Sequence, residues 1–319
     1  MTIRLESLLG AACALGLALP AGGITISTEA DYDRWMYPFN ATPGTRSTMS
    51  TFGAVGSPPF DDRDGQAHVG FDTATAGVPS LLPKNNYQIN SVKVSVTHST
   101  TGGALVYDDT YDSYQTYNGT LADTDAGRPI ELHGLGFRNG FGELEIGFGP
   151  PNTPPGFKET DAFAFADPTL EDVRNVFAMS SSGLEVSNNV SDGFESDPWA
   201  VGQAVGLLPG DTVVEAVPGT SPGTTFEFLV NLSDPLIVEY LQTGLQDGLL
   251  GFAITSLHAA AQPPNPTTSP NFYTTDSFNP EAVAPSLMLD VTIVPEPGTA
   301  GLLCLGLAGM ACGGRRRRV

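Results

Sequence analysis

Cysteine is scarce in this chain of 319 residues. All three cysteines, Cys13, Cys304 and Cys312, lie near the two ends. The region 24–294 therefore cannot form an internal disulfide bond, and it offers no thiol nucleophile and no cysteine ligand for zinc. A region of about 270 residues is long enough to bury a sizeable apolar core, so we expect it to fold without disulfides even in an oxidising compartment.

Basic residues are also few, because 14 Lys and Arg side chains stand against 35 Asp and Glu side chains and leave a formal net charge of −21. A chain this acidic repels phosphate, so we expect no nucleic-acid partner. The apolar fraction of 40%, together with 37 glycines and 26 prolines, is typical of a turn-rich globular domain.

Residues 1–23 have the pattern of a secretory signal peptide, in which Arg4 precedes an apolar stretch and small residues end at Gly23. The alternative is a buried first helix, which Pro20 and the two glycines that follow would end at once. We therefore expect a signal helix and export through the secretion translocon.

Alternation of apolar and polar residues recurs along the region 24–294 and predicts half-buried strands. The apolar members of these runs are Val92, Val94 and Val96; Leu144, Ile146 and Phe148; Phe226, Phe228, Val230 and Leu232; and Leu287, Leu289, Val291 and Ile293. Clusters of Pro, Gly and Asn separate the runs. The sequence predicts an all-β domain over residues 24–294, an antiparallel β-sandwich of jelly-roll-like form.

Helical periodicity is rare in this region. An aspartate followed by proline, which is typical of a helix N-terminus, occurs at Asp167 and at Asp234. We interpret both predicted helices as short connectors, the second ending at Gly248. Its predicted apolar face comprises Leu236, Tyr240 and Leu241.

Two stretches of the region resemble an extracellular family. They are HVGFDTATAGVP…INSVKVSVT, within 68–97, and LLGFAITS…NFYTTDS…APSLMLDVT, within 249–292. The first resembles the strand pair that opens the β-sandwich modules called DNRLRE domains, and the second resembles the strand that closes them. The resemblance implies a surface, adhesive or polysaccharide-associated unit without enzymatic activity, and it supplies no binding residues. The segment from about 107 to 220 has no counterpart there, so an insertion or a second lobe stays open.

Three groups of aspartates offer candidate calcium ligands: DDRDG at 61–65, DDTYD at 108–112 and DTDAG at 123–127. Carboxylates at alternate positions of a glycine-containing loop can converge on Ca²⁺, which binds six to eight oxygens. We select Asp123 and Asp125 as the candidate ligands. The alternative is a set of solvated turns, in which each aspartate accepts hydrogen bonds from nearby backbone.

Four tyrosines crowd one short segment and are candidate ligand-binding residues: Tyr107, Tyr111, Tyr114 and Tyr117. Aromatic faces pack against the CH groups of sugar rings, so these residues predict a stacking surface for an exopolysaccharide. Ordinary packing of tyrosines within a β-rich protein is the alternative.

Residues for catalysis do not form a coherent set. Four histidines, His68, His98, His133 and His258, are far apart and include no HExxH pair, so we interpret them as sheet residues. Residues 219–223 match the G-x-S-x-G pattern around Ser221, but strand alternation follows where a nucleophile elbow requires a helix. We predict a hairpin loop there, and we expect no enzymatic activity.

Residues 295–319 differ in character from the rest of the chain. Pro295, Glu296 and Pro297 precede an apolar stretch from about Gly298 to Gly314, and Arg315, Arg316, Arg317 and Arg318 follow it. The stretch approaches the length that spans a bilayer, and arginines on one side hold that side in the cytoplasm. This pattern predicts a C-terminal transmembrane helix.

The same arrangement closely resembles the PEP-CTERM sorting signal. The resemblance implies that an exosortase-type membrane protease recognises Pro295, Glu296 and Pro297 and removes a tail that Arg315 to Arg318 hold in the membrane. A permanent anchor is the alternative. We therefore expect an exported, non-enzymatic protein of the cell envelope, cell surface or extracellular matrix with a structural or adhesive role. The alternative function is a carbohydrate-binding module for exopolysaccharide.

Overall fold

The computed structural model describes residues 22–37, 43–53, 63–99, 104–147, 149–163, 174–258 and 269–294. The C-terminal sorting tail, nearly all of the signal peptide and most of the helix predicted after Asp167 lie outside these residues. The end of that helix prediction was wrong, because Val176 and Phe177 belong to a strand. Within the described ranges, every helix is too short or too polar to cross a membrane.

Strands dominate the described part of the chain. They are β1 (Gly22–Glu29), β2 (Tyr32–Met36), β3 (Thr48–Ser50), β4 (Gln66–Asp72), β5 (Tyr87–Thr97), β6 (Tyr107–Asp108), β7 (Arg128–Phe137), β8 (Glu143–Leu144), β9 (Gly156–Phe157), β10 (Val176–Met179), β11 (Ala200–Val201), β12 (Gln203–Ala204), β13 (Thr225–Leu229), β14 (Leu249–Ser256), β15 (Asn271–Tyr273) and β16 (Ser286–Ile293). The helices are α1 (Tyr114–Tyr117), α2 (Asn189–Asp192) and α3 (Pro235–Asp247).

Two sheets contain most of these strands. The first has five strands in the order β1-β16-β5-β13-β12, and the second has the path β10-β7-β14-β4-β2, with β6 and β11 also paired to β7. The pairs within this path and within the first sheet are antiparallel, whereas β6 pairs with β7 in parallel. The expected all-β fold of antiparallel sheets is confirmed. The segment 107–220 supplies strands β6 to β12.

One apolar core joins the two sheets. Val94 and Phe228 of the first sheet lie in the same buried cluster as Phe71 and Phe252 of the second. The alternation predicted along β5, β13 and β16 is confirmed within these strands, because the predicted apolar positions there are buried. Leu232 lies beyond the end of β13 and is only half-buried. Burial of this apolar area is the main favourable contribution to folding.

The strand predicted through Leu144, Ile146 and Phe148 is largely wrong. Leu144 is buried in the two-residue strand β8, but Ile146 is 39% exposed, and Phe148 lies outside the described residues. The partner strand β9 has only two residues, and Gly147 turns the backbone away with a φ of 105°. A positive φ of this kind is incompatible with a continuing strand.

Helix α3 follows the predicted start and end signals. The Asp234 side chain accepts a hydrogen bond from the Leu236 backbone N–H, and Gly248 ends the helix in the left-handed region. Its predicted apolar face was partly wrong, because Leu236 is 48% exposed. The buried side chains Ile237, Leu241 and Leu245 are spaced four residues apart, which places them on one face.

Candidate functional site

Three aspartates converge beside the parallel pair of strands β6 and β7. Asp108 ends β6, Asp112 follows in the next loop, and Asp125 lies in the turn before β7. One carboxylate oxygen from each lies within 4.8 Å of the other two. The pairing of Tyr107 with Arg128 brings the two segments together.

The turn before β7 approaches β6 closely at Gly127. A side chain at this position would meet the Val106 carbonyl oxygen at 2.8 Å and the Asp108 Cβ at 3.0 Å. Gly127 also has a φ of 110°, which side chains rarely tolerate. Glycine therefore permits the contact that brings Asp125 to Asp108.

Thr110 links two of the three carboxylates. Its hydroxyl oxygen lies 2.9 Å from Asp108 Oδ1 and 2.8 Å from Asp125 Oδ2, so the two carboxylates share its single proton. Its backbone N–H donates to Asp108 Oδ1 at 2.8 Å. Asp108 is 3% exposed, and its Oδ2 is buried without a hydrogen-bond partner among the described residues. A buried carboxylate oxygen without a donor or a cation is costly.

The electrostatics of the cluster oppose three ionised carboxylates. Burial raises the pKa of Asp112 to about 6, although Arg128 Nη1 contacts its Oδ2 at 3.1 Å. Burial also raises the pKa of Asp108, and the nearby charges of Asp125 and Asp123 contribute. A nearby positive charge would therefore stabilise the ionised forms of these carboxylates.

The two aspartates selected from the sequence have different surroundings. Asp125 belongs to the cluster, whereas Asp123 pairs with Arg128, whose Nη1 lies 2.7 Å from its Oδ2. The backbone N–H of Asp125 donates a 3.4 Å hydrogen bond to Asp123 Oδ1. In the DDRDG group, Asp61 and Asp62 lie outside the described residues, and Asp64 is 3% exposed.

The four selected tyrosines differ in exposure and in the residues that they contact. Tyr107 is 3% exposed, packs edge-on against Phe226, and donates a hydrogen bond to Gln203. The Tyr111 hydroxyl donates to Glu195, and burial raises its pKa.

The other two tyrosines belong to helix α1 and are half-buried. The ring of Tyr114 lies near Gly193, next to helix α2. The Arg128 guanidinium lies over the Tyr117 ring, with Arg128 Cζ 4.8 Å from the ring centroid. Burial raises the pKa of Tyr117 well above its ordinary value. Arg128 thus contacts Tyr117 and the acidic cluster together.

A second polar group lies on the face of the seven-stranded sheet that is turned away from the shared core. Arg63 Nη2 lies 2.7 Å from Glu131 Oε2, and His133 Nε2 lies 3.4 Å from the same oxygen. All three side chains are almost completely buried. Arg63 also donates to the Val186 carbonyl and to Ser196.

Sequence analysis missed this buried polar group. Strand β7 is buried at eight of its ten positions. Both faces of the strand are therefore covered, and buried residues do not alternate with exposed ones along it. The segments that cover this face come from distant parts of the chain, including 186–196, and pack a second apolar cluster around Leu135 and Val176. The closest signal in the sequence was the Glu131-x-His133 pair within an otherwise apolar run.

The histidines are buried in or beside the sheets, as predicted. His68 and His133 lie in β4 and β7, and all four histidines are less than 9% exposed. Burial lowers the pKa of His98 to about 4 and that of His258 to about 3. At neutral pH these imidazoles are uncharged and closed off from solvent.

The G-x-S-x-G match lies in a hairpin, as predicted. Val217 and Ser221 pair across it, and the Ser221 hydroxyl accepts a hydrogen bond from the Gly223 backbone N–H. Strand β13 follows at Thr225. The helix that a nucleophile elbow requires is therefore replaced by a strand.

The two ends of the described chain lie side by side. Strand β1 pairs with β16 from Gly22 opposite Ile293 to Glu29 opposite Ser286. The Val294 backbone N–H donates a 2.8 Å hydrogen bond to the Asn86 carbonyl, so the ordered fold continues to the residue before Pro295. The predicted signal peptide and the predicted sorting tail therefore join the domain at the same end of one sheet.

Residues 294–318 match the family model for the PEP-CTERM protein-sorting motif. No curated protein matches the chain significantly. The motif indicates export, processing by an exosortase, and attachment to the cell envelope or surface. It covers only the end of the chain, so it identifies the sorting signal and leaves the role of the β domain to its own residues.

Proposed function

We propose that this chain, exported and sorted by its PEP-CTERM motif, is a non-enzymatic structural or adhesive protein of the cell surface or extracellular matrix. The observation that carries the proposal is the direct junction between the last strand and the motif. Val294 is still hydrogen-bonded within the fold, and the motif match begins at that residue. Recognition of Pro295, Glu296 and Pro297 would therefore occur beside the folded domain, with Arg315 to Arg318 on the far side of the membrane.

The surroundings of the titratable groups support a non-enzymatic role. Among the described residues, the most strongly shifted histidines and the Arg63–Glu131 pair are almost completely buried. Catalytic acids and bases need access to substrate in addition to shifted pKa values. Buried polar groups of this kind instead fix the packing of covering segments on a sheet.

Processing of the tail can be tested with the full chain. Co-expression with the host's own exosortase should produce a shortened protein by intact-mass spectrometry, and a Glu296→Ala variant should accumulate as the uncleaved precursor. Glu281→Ala is the matched control, because it removes a glutamate outside the motif and should be processed normally. Equal cleavage of the wild type and both variants would show that the exosortase does not require Glu296.

The role of the domain needs a separate measurement. Deletion of the gene in the host should reduce cohesion of the cell layer or its matrix, and the full chain should restore it. A purified full chain that hydrolyses generic ester, glycoside or peptide substrates above a heat-treated control would contradict the non-enzymatic proposal.

Carbohydrate binding remains the alternative function, and the half-buried tyrosines of helix α1 are the residues that would serve it. Affinity electrophoresis through gels that contain alginate, cellulose derivatives or the host's purified exopolysaccharide tests it directly. Retardation of the full chain that is lost in Tyr114→Ala would favour binding at this segment. Retardation that persists in Tyr114→Ala would place any polysaccharide contact elsewhere.

A further inference from the structure

We propose that Asp108, Asp112 and Asp125 form a calcium site that closes the base of the excursion between β6 and β7. This set differs from the pair suggested by the DxD spacing, because only Asp125 is common to both. The three carboxylates come from separate parts of the excursion, and an oxygen of each lies within 4.8 Å of the others. A single cation between them would contact all three segments.

The state of Asp108 is the observation that points to a ligand. Its Oδ1 is satisfied by Thr110, but its Oδ2 is buried without a hydrogen-bond partner among the described residues. This oxygen is therefore free to bind a metal ion, and burial makes the ionised carboxylate costly without such a partner. A bound cation would give Asp108 Oδ2 the positive partner that the described residues do not provide.

The balance of charge favours a divalent cation over further pairing with Arg128. This guanidinium already contacts Asp112 at 3.1 Å and Asp123 at 2.7 Å. Within the described ranges, no arginine forms an ion pair with Asp108 or Asp125, and Asp125 is exposed at the rim, where an ion can enter. Arg128 therefore holds Asp112 and Asp123 in place beside the opening.

The chemistry of the donors selects calcium among common metals. All three members of the cluster are carboxylates, and neither histidine nor cysteine contributes. Oxygen-only ligands suit Ca²⁺ and Mg²⁺, but Mg²⁺ requires a near-octahedral arrangement, whereas Ca²⁺ tolerates irregular loops with carboxylates, carbonyls and water. Extracellular calcium modules bind with Kd values of about 10⁻⁴–10⁻³ M, and we expect this range here.

The ion would fix the excursion 109–127 to the sheet. This segment carries helix α1 and three of the clustered tyrosines. It begins at β6 and ends at β7, which pair through only two residues of each strand. Calcium bound at the base would therefore protect the segment from proteolysis and slow its amide exchange without altering the sheets.

Thermal unfolding of the full chain in detergent tests the site. Millimolar calcium should raise the Tm by a few degrees relative to chelator, because binding to the native state alone stabilises it. The rise should disappear in Asp108→Asn and in Asp125→Asn. Asp109→Asn is the matched control, since it removes the same charge one position away from Asp108 and should retain the rise.

Terbium luminescence measures binding independently of stability. Tyr117 contacts Arg128, which contacts Asp112, so an ion at the cluster lies close enough to receive excitation energy from tyrosine. Tb³⁺ emission should appear with the wild-type chain, fall on addition of calcium, and be lost in Asp125→Asn, whose exposed site leaves the fold intact. Identical melting curves with and without calcium, or an equal rise in every variant and with magnesium, would overturn the proposal.

Discussion

Arg63 and Glu131 form an ion pair whose Nη2 and Oε2 atoms are 2.7 Å apart, with side chains that are 0% and 1% exposed. Burial alone would raise the pKa of Glu131, but the Arg63 charge and the His133 hydrogen bond outweigh it, so the pKa lies below its ordinary value. Glu131 is therefore ionised at neutral pH. Arg63 also donates hydrogen bonds to the Val186 carbonyl and to Ser196. It thereby links Glu131 of strand β7 to the segment that covers this face of the sheet.

Removing one partner of this pair should strongly destabilise the protein. We expect Glu131→Gln to lower the free energy of unfolding by about 3–5 kcal/mol, because it leaves a buried guanidinium without its counter-charge. Urea denaturation of the full chain measures the loss. Glu239→Gln breaks the exposed pair with Lys84 and should change stability little.

The double variant distinguishes a paired charge from ordinary packing. Arg63→Met combined with Glu131→Gln should lose less stability than the two single changes added together, with a coupling of about 1–3 kcal/mol. Simple additivity would show that the two side chains contribute independently, through cavities and lost hydrogen bonds alone.

Two buried carboxyl groups, Asp33 and Glu159, should each contribute a loss of stability as the pH rises from about 4 to 7. Burial raises the pKa of Asp33 from 3.8 to about 6 and that of Glu159 from 4.5 to about 7. In this window these two carboxyl groups keep protons in the folded state that they release in the unfolded state, so their contribution to the free energy of unfolding decreases with pH. The buried histidines His98 and His258, whose pKa is lowered, contribute with the opposite sign. The repulsion between the two carboxylates adds to the effect.

Asp33→Asn isolates this contribution. The amide oxygen can still accept the 2.8 Å hydrogen bond from the Thr275 backbone N–H, but the residue no longer titrates. Relative to wild type, the Tm of this variant, measured in chelator, should fall less or rise more between pH 5 and pH 8. Glu143→Gln, at an exposed position, should keep the wild-type difference; an unchanged difference in Asp33→Asn would refute the assignment.

Local signals in the sequence predicted the parts of the fold that depend on local spacing. Alternation identified Val92, Val94 and Val96 as one buried face, and Asp234 with Pro235 identified the start of α3. Alternation reports which side of a strand is buried, but it does not report which strands are neighbours. The order of the sheets and the covering of the second sheet therefore could not be predicted.

The acidic cluster shows the same limit at the level of a site. Asp123 and Asp125 are neighbours in sequence, yet Asp123 pairs with Arg128 while Asp125 joins Asp108 and Asp112. That grouping depends on the pairing of β6 with β7, which neither strand's composition indicates. Of the two aspartates selected by sequence spacing, only Asp125 belongs to the cluster.

A close contact between Gly134 and Trp199 predicts a sensitive position in strand β7. A Cβ at residue 134 would lie 2.3 Å from Trp199 Cη2, and Trp199 is 1% exposed within the core. Gly134→Ala should lower the free energy of unfolding by about 1–3 kcal/mol, since the indole cannot move without repacking. Gly142→Ala, where nothing lies within 4 Å of the added carbon, should have little effect in the same urea titration.

The four terminal arginines should act through their charge. Each arginine costs about 2.5–3.5 kcal/mol to place in the bilayer centre, so the cluster prevents the apolar stretch from passing through the membrane. Replacing Arg315 to Arg318 by glutamine should release unprocessed chain past the membrane, whereas replacing them by lysine should preserve retention and processing. Fractionation followed by intact-mass spectrometry compares the two variants. Normal processing of the glutamine variant would show that the exosortase motif alone retains the chain, and a mature surface protein that still contains Val319 would show that the tail is a permanent anchor.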